Sequence, residues 1–227
     1  MADTMKEGIR HYRSGAYEDA LVSLLEVPAG NPEINHELAY YIGLCYARLE
    51  RYDDALVYLE QVVTADTDLA RVYQCRMVLS IVYTLTGRTR LADFELRKLI
   101  DAGYESTQVF CSLGYIAFEQ NDAESAVDWY ERALSLDAEN ATALNGLGFV
   151  LADTGRDLTR ALTMCKKAVD IQPDSAAYLD SLGWVYYKLG LDVEARTYTR
   201  RAREKAPDNR VIGTHLNEIM QKRRDYR

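Results

Sequence analysis

Apolar residues recur along this chain at the spacing of amphipathic helices, most regularly between residues 176 and 209. One stripe at i, i+3, i+4 and i+7 consists of Leu179, Leu182, Gly183 and Tyr186. That spacing covers one face of an α-helix. Gly190 follows and favours the end of the helix, because a residue without a Cβ atom takes the left-handed conformation easily. A second apolar stripe then runs to Pro207, which lacks the N–H that a continuing helix needs. The segment is therefore predicted to form a helical hairpin.

The same pattern is repeated six times. The small residue of the first helix is Gly8, Gly43, Ser80, Gly114, Gly148 and Gly183 in turn, and the alanine of the second helix is Ala20, Ala55, Ala92, Ala126, Ala161 and Ala195. Two markers that stay in phase over most of the chain predict an array of one structural unit. Because two helices approach closely only where neither carries a bulky side chain, we expect each pair to mark the crossing point of a hairpin.

The register also places the boundaries of the units. The predicted hairpins span about residues 1–35, 36–72, 73–106, 107–140, 141–175 and 176–209. Residues 210–227 do not follow the hairpin pattern, but Ile212, Leu216, Ile219 and Met220 form one apolar stripe of an amphipathic helix. A stack of repeats leaves an apolar face at its end, so we expect this helix to cap the array. Docking of the same helix on a partner is the alternative.

The order of residues within a unit resembles the tetratricopeptide repeat family. The signature is a small residue preceded by Leu, an aromatic residue three positions later, a turn Gly, then Ala, Ala and Pro. It is visible in "LDSLGWVYYKLGLDVEARTYTRRAREKAPD" and in "LNGLGFVLADTGRDLTRALTMCKKAVDIQPD", and the first wording is similar to bacterial repeat proteins. The resemblance covers residues 1–209 and implies an all-α fold, a right-handed α-solenoid. The chain departs from the family pattern at Glu7 and Thr89, and by extra residues near 67–69 and 156–158.

The resemblance also implies where a partner binds. In this family the first helices line a concave groove, and the groove positions lie three before, one after, four after and five after the small residue; we call them the groove rows. Partner-binding residues carried over in this way are Tyr12, Arg13, Tyr40, Leu44, Arg48, Ile81, Tyr115, Phe118, Phe149, Trp184, Tyr187 and Lys188. The row one after the small residue is apolar or aromatic throughout, which favours a segment with apolar anchors. In the alternative interpretation, the residues of this row pack against neighbouring hairpins. Met5 and Ile9 replace two polar positions of the carboxylate clamp that some family members use.

Charge is distributed unevenly. The net charge is −8, yet ten Lys or Arg stand against four Asp or Glu from Arg196 to Arg227. One interpretation is that this basic terminus contacts an acidic partner or nucleic acid, but its basic run is short and has little aromatic interleaving, which disfavours nucleic acid. Cations near the end of a last helix also complement the helix dipole, which is the simpler interpretation.

Composition indicates a reducing, aqueous setting. The four cysteines, Cys45, Cys75, Cys111 and Cys165, lie singly in predicted helices, so we expect free thiols rather than disulfides or a zinc site. No apolar stretch is long enough to span a membrane, and the first residues lack the apolar core of a signal peptide. We therefore expect a cytoplasmic protein, the alternative being an exported one whose signal segment is missing from this sequence.

Residue patterns typical of catalysis or cofactor binding do not emerge from the sequence. The histidines are scattered, and neither a phosphate-binding loop nor a nucleophile elbow is found. We therefore predict no enzyme, cofactor, metal or small-molecule substrate. The leading hypothesis is a scaffold that binds a peptide segment or helix of a partner in its groove. The alternatives are self-assembly through an end face or the C-terminal helix, and binding of an acidic partner or nucleic acid through the basic terminus.

Overall fold

The structure is a computed structural model that describes residues 2–221. Over this range it consists of α-helices without strands, which confirms the predicted all-α fold. The helices are α1 (Ala2–Arg13), α2 (Tyr17–Leu25), α3 (Pro32–Arg48), α4 (Tyr52–Ala65), α5 (Leu69–Leu85), α6 (Thr89–Asp101), α7 (Thr107–Glu119), α8 (Ala123–Leu136), α9 (Ala141–Asp153), α10 (Leu158–Ile171), α11 (Ala176–Lys188), α12 (Asp192–Lys205) and α13 (Arg210–Gln221). They form two compact units, Met1–Glu105 and Ser106–Arg227.

The N-terminal unit contains three antiparallel hairpins, formed by α1 with α2, α3 with α4 and α5 with α6. Its helices α3 and α5 begin at Pro32 and Leu69, a turn earlier than the hairpin starts inferred from the register. The Asn31 side chain accepts a hydrogen bond from the Ile34 amide, and proline occupies the first turn of α3. Proline costs nothing there because the N–H it lacks has no partner within the helix.

The extra residues near position 67 close the connection between α4 and α5. The Asp66 carboxylate, almost wholly buried, accepts hydrogen bonds from Arg71 Nε at 2.6 Å and from the Asp68 amide at 3.0 Å. The hydrogen bonds from Arg71 hold the pKa of Asp66 below its ordinary value. Asp68 in turn caps α5 by accepting from the Arg71 amide. The insertion therefore carries its own hydrogen-bond network and leaves the register of the following hairpin intact.

The C-terminal unit contains the hairpins α7 with α8, α9 with α10 and α11 with α12, followed by α13. The helices of a hairpin cross at the small residues. A Cβ atom added to Gly148 would lie 3.0 Å from the Ala161 carbonyl oxygen, and one added to Gly183 would lie 3.2 Å from the Ala195 carbonyl oxygen. All six repeat alanines are fully buried. These contacts confirm the predicted crossing points of the α9–α10 and α11–α12 hairpins.

Within each unit, the first helices of consecutive hairpins lie side by side. In α11 the residues five before, two before and two after the small residue are the buried Tyr178, Ser181 and Val185, and the Tyr178 hydroxyl lies 3.1 Å from Thr142 Oγ1 of the preceding hairpin. Helix α13 continues this arrangement: Ile212 and Ile219, 34 residues after Tyr178 and Val185, are both 2% exposed. It thus packs on α11 and α12 in the manner of a further first helix. The exposed Asn217 stands where a complete hairpin has its small residue.

Two hairpin turns close without the glycine that ends the first helix elsewhere. Glu50 and Asn121 both have a positive φ, 59° and 62°, in the positions that glycine occupies in most of the other hairpins. The turn at Glu50 therefore has the same left-handed closure, with a side chain that disfavours it.

Candidate functional site

Groove positions of the N-terminal unit combine a cluster of tyrosines with exposed arginines. The Tyr12 ring lies 5.5 Å from the Tyr41 ring, which in turn lies 4.9 Å from the Tyr40 ring. The Tyr40 hydroxyl donates a hydrogen bond to Gln74 Oε1 at 2.6 Å, so it links α3 to α5. Arg13 and Arg48 are both exposed, and Arg48 hydrogen-bonds the Tyr12 hydroxyl. The arrangement offers aromatic surface flanked by positive charge.

Burial raises the pKa of two of these phenols, Tyr12 and Tyr40, above the ordinary value. Burial raises the pKa of Tyr12, and the Arg48 guanidinium, by its charge and a hydrogen bond, offsets part of that rise. Burial and the neighbouring rings of Tyr12 and Tyr41 raise the pKa of Tyr40 further. At neutral pH the hydroxyl groups therefore act as hydrogen-bond donors and acceptors rather than as charges.

The remaining two predicted residues of this unit differ sharply in exposure. Leu44 is 3% exposed, so it packs between helices and leaves little side chain for a partner. Ile81, in the same row one hairpin later, is 45% exposed. A row that is uniformly apolar in sequence is therefore divided between packing and surface.

Three rings form the open part of the groove rows in the C-terminal unit. Tyr115 is 47% exposed, and its phenol has a raised pKa because of burial and the nearby Glu119 carboxylate. Phe118 and Phe149 are half-buried and meet edge to face, with ring centroids 5.6 Å apart. Tyr115 and Phe118 lie one turn apart on α7, and we call these two rings and Phe149 of α9 the ring cluster.

The other end of these rows is filled by α13. His215 stacks on the Trp184 ring with centroids 4.3 Å apart, and its Nδ1 lies 2.7 Å from Asp180 Oδ2. The Phe149 ring lies 6.1 Å from the same imidazole. Tyr187 hydrogen-bonds the Glu218 carboxylate, and burial together with that carboxylate raises the pKa of Tyr187. Helix α13 therefore covers part of the surface that the family pattern assigns to a partner.

Trp184 and Lys188 are held by the preceding hairpin. Trp184 is 5% exposed and donates from Nε1 to Asp153 Oδ1 at 3.0 Å. Lys188 donates to the Asp153 carbonyl oxygen at 3.2 Å, and its ammonium lies 4.9 Å from the Trp184 ring centroid. These contacts give both side chains a packing role between α9 and α11.

The thiols do not form a reactive site. All four cysteines are buried and free. Burial raises the pKa of Cys45 to about 11 and that of Cys75, Cys111 and Cys165 to about 12. Thiols with such pKa values remain protonated, and the thiolate is the nucleophilic form.

Among residues 2–221 no group of His, Cys, Asp and Glu side chains is arranged to hold a metal ion. None of the helices described has the length and apolar character to cross a membrane.

Two features near the groove rows were not singled out in the sequence analysis. Lys6 and Arg10 join Arg13 and Ile9 around a surface depression of about 350 Å³ on α1. The spacing of Lys6, Arg10 and Arg13 at i, i+4 and i+7 places them on one helical face, and this pattern was visible in the sequence. His215 contacts the Trp184 and Phe149 rings from α13, and no local pattern marks those contacts.

Two family models match this chain. A model described as "Tetratricopeptide repeat" matches residues 5–70, and one described as "TPR repeat" matches residues 114–155. Together with the array of hairpins, these matches define the class as a helical repeat protein. The chain belongs to the tetratricopeptide repeat family.

Curated relatives share parts of the array. The chain is 32% identical over 114 residues to "TPR repeat-containing protein PA4667" of Pseudomonas aeruginosa strain PAO1, a match that covers 50% of this chain and 19% of that protein. It is 23% identical over 186 residues to "Protein O-mannosyl-transferase TMTC1" of Homo sapiens, covering 81% of this chain and 21% of that protein. The chain therefore spans about a fifth of the length of these relatives.

Solved structures have a similar fold. The crystal structure of MamA protein aligns with a TM-score of 0.61 and 25% identity, covering 75% of this chain and 91% of that one. YrrB, described as "a TPR protein with an unusual peptide-binding site", aligns with a TM-score of 0.57 and 20% identity, covering 80% of this chain and 91% of that one. At that identity the likeness to YrrB concerns the fold alone.

Proposed function

We propose that this protein is a non-enzymatic scaffold that binds a peptide segment or helix of another protein along the groove rows of its first helices. The ring cluster of Tyr115, Phe118 and Phe149 carries the proposal. Rigid rings at a surface supply contact area at low entropic cost, and such residues dominate the binding energy of many interfaces. Membership of a repeat family whose members bind protein partners supports the same class of function.

The structure changes which anchors we favour. The family pattern points to Phe118 and Tyr187, but Tyr187 contacts Trp184 and Glu218 within the unit. Tyr115 is 47% exposed and lies one turn before Phe118 on α7. We therefore assign the main contact to Tyr115 and Phe118.

Two comparisons bear on this proposal in different ways. YrrB is described as a TPR protein with a peptide-binding site, so a similar fold is compatible with a peptide as the ligand. TMTC1 is named as a transferase, but this chain matches 21% of that protein, and a binding role is what we propose for the matching repeats. The alternative role of the basic terminus involves residues 222–227, which lie outside the described residues.

A peptide library selection tests the proposal without a known partner. Displayed random peptides are selected on the immobilised full chain, and the selected peptides are titrated by fluorescence anisotropy. In the double variant Tyr115→Ala/Phe118→Ala, we expect affinity to fall about thirty-fold or more, since a binding hot spot contributes about 2 kcal/mol or more.

A matched control separates groove binding from a general loss of apolar surface. Leu136 and Val193 are 53% and 68% exposed on second helices of the same unit. The variant Leu136→Ala/Val193→Ala should bind the selected peptides like the wild type. Equal affinities in all three proteins would refute the assignment of binding to the ring cluster.

A further inference from the structure

Helix α1 carries three cations on one face. Lys6, Arg10 and Arg13 stand at i, i+4 and i+7, and together with Ile9 they line the depression of about 350 Å³ described above. All three charged side chains are exposed, and Ile9 is half-buried between them. We call these four residues the cationic edge.

Stacking does not explain the cationic edge. The positions five before, two before and two after the small residue are Leu38, Tyr41 and Cys45 in α3, and the Tyr41 ring contacts Tyr12 of the preceding hairpin. In α1 the same positions are Asp3, Lys6 and Arg10, all exposed. The end of a repeat array needs a polar face for solubility, and charges of either sign provide one. The choice of cations in a chain of net charge −8 therefore needs another reason.

Few carboxylates neutralise these cations. Arg10 Nη2 lies 3.1 Å from Glu7 Oε1, a pair in which both side chains are largely exposed. Lys6 and Arg13 have no ion pair within residues 2–221. Exposed pairs contribute little energy, so an incoming carboxylate can compete for Arg10 as well.

The positive charge continues into the groove rows of the same unit. Arg13 occupies the row five after the small residue, and Arg48 occupies that row in the next hairpin. Arg48 hydrogen-bonds the Tyr12 hydroxyl. A guanidinium only donates, so Tyr12 accepts that bond and keeps its own proton for another acceptor. An acceptor placed there would also lie near Arg48.

We propose that the cationic edge and the adjacent Tyr12 and Arg48 bind an acidic peptide segment of a partner. Side-chain carboxylates of that segment contact the cations of α1 and Arg48, and an apolar side chain packs on Ile9. The inference rests on the proposed scaffold function in one respect, that the ligand is a peptide, and it specifies the chemistry of that ligand at the N-terminal unit.

A peptide fits these observations better than a nucleic acid. Nucleic-acid surfaces present positive charge over a wide area and contact many phosphates. Here three of the four cations lie on α1, beside an apolar side chain and the exposed carboxylates of Asp3 and Glu7, and the fourth, Arg48, lies on α3. Those carboxylates repel an extended polyanion but leave room for a segment with spaced acidic residues.

Anisotropy titrations of the full chain test this assignment. The probes are a fluorescein-labelled synthetic peptide of Glu, Leu and Ser, about twelve residues long to span adjacent first helices, the same peptide with Lys in place of Glu, and a single-stranded oligonucleotide of equal charge. We expect the Glu peptide alone to bind. In Arg10→Glu/Arg13→Glu its affinity should fall about ten-fold or more, because two attractive charges become repulsive.

A second pair of arginines provides the matched control. Arg88 and Arg90 are exposed on the same unit, at the start of α6, so Arg88→Glu/Arg90→Glu changes net charge equally. It should bind the Glu peptide like the wild type. The neutral variant Arg10→Gln/Arg13→Gln should weaken binding without introducing repulsion, and thermal melts verify that each protein is folded.

Several results would overturn the inference. Equal losses in both charge-reversal variants would mean that net charge alone attracts the peptide. Tighter binding of the oligonucleotide, or failure of the Glu peptide to bind the wild type, would also contradict it. Loss of binding to library-selected peptides in Tyr115→Ala/Phe118→Ala, with the Glu peptide unaffected, would leave both proposals standing. If Tyr115→Ala/Phe118→Ala bound the library-selected peptides like the wild type while Arg10→Glu/Arg13→Glu still lost the Glu peptide, the ring-cluster assignment would fail and the cationic-edge proposal would stand.

Discussion

Replacement of Gly183 by alanine should destabilise the protein even though alanine is the better helix former. A Cβ atom at position 183 would meet Thr199 Oγ1, and would lie 3.0 Å from the Thr199 amide nitrogen and 3.2 Å from the Ala195 carbonyl oxygen. Two of these neighbours are backbone atoms of α12, which move only if the whole helix moves. The added methyl group therefore forces α11 and α12 apart.

The expected magnitude combines two opposing effects. Overpacking of a well-packed contact costs about 1–3 kcal/mol, and a contact against backbone belongs at the upper end of that range. Alanine recovers about 1 kcal/mol of helix propensity relative to glycine. The net expectation is a loss of about 2 kcal/mol in the free energy of unfolding, which corresponds to a decrease in Tm of roughly 4–8 °C for a chain of this size.

Gly213 in α13 is the matched control. A Cβ atom there would meet only Arg203 Nη1 at 3.3 Å, the end of a flexible side chain. Gly213→Ala should therefore raise the free energy of unfolding by up to about 1 kcal/mol through propensity alone. Thermal and urea melts followed by circular dichroism measure both variants. If Gly183→Ala were as stable as Gly213→Ala, the close approach of the two helices at Gly183 would be wrong.

Three further changes test other parts of the fold. Glu50→Gly should stabilise the protein by about 0.5–1 kcal/mol, because the φ of 59° is unfavourable for a residue with a side chain. Asn121→Gly should stabilise it less, because asparagine tolerates that conformation better than glutamate. Parallel urea melts measure both changes. Asp66→Asn should cost about 2 kcal/mol at neutral pH, since the hydrogen bonds from Arg71 are to a charged group. The depressed pKa of Asp66 stabilises the fold above the ordinary pKa of an aspartate, so the difference from wild type should shrink as the pH falls below about 4; a constant difference from pH 7 to pH 3 would argue against this role. Ala161→Leu should cost about 1–3 kcal/mol by overpacking a fully buried crossing point, and an unchanged Tm would contradict the register.

The fold was readable from the sequence because the crossing points of the hairpins demand small residues at a fixed interval. Gly148 with Ala161 and Gly183 with Ala195 show the consequence directly. The manner in which α13 packs was less accessible. Its isoleucines match the stacking positions of α11, but Asn217 breaks the signature that identifies a hairpin. A pattern defined by complete units does not recognise a single helix that stacks in the same way.

The sequence predicted which residues share a groove row, but it did not predict how exposed each of them is. Leu44 and Ile81 occupy the same row, yet only Ile81 presents much of its side chain to solvent. Exposure depends on contacts from neighbouring helices, as the hydrogen bond of Trp184 to Asp153 and the stacking of His215 on Trp184 illustrate. Such contacts join residues about thirty positions apart, and the periodicity of one helix carries no information about them.

Site-specific photocrosslinking tests most directly whether a peptide binds on the first helices. A benzophenone amino acid replaces Tyr115 in the ring cluster or, in a second protein, Val193 on α12, which is 68% exposed. Each full chain is irradiated with the same library-selected peptide, and the crosslinked product is quantified by mass spectrometry. The scaffold proposal predicts a saturable crosslink from position 115 that excess unlabelled peptide removes, with only background from position 193. Equal crosslinking from both positions, or a specific product from position 193 alone, would contradict it.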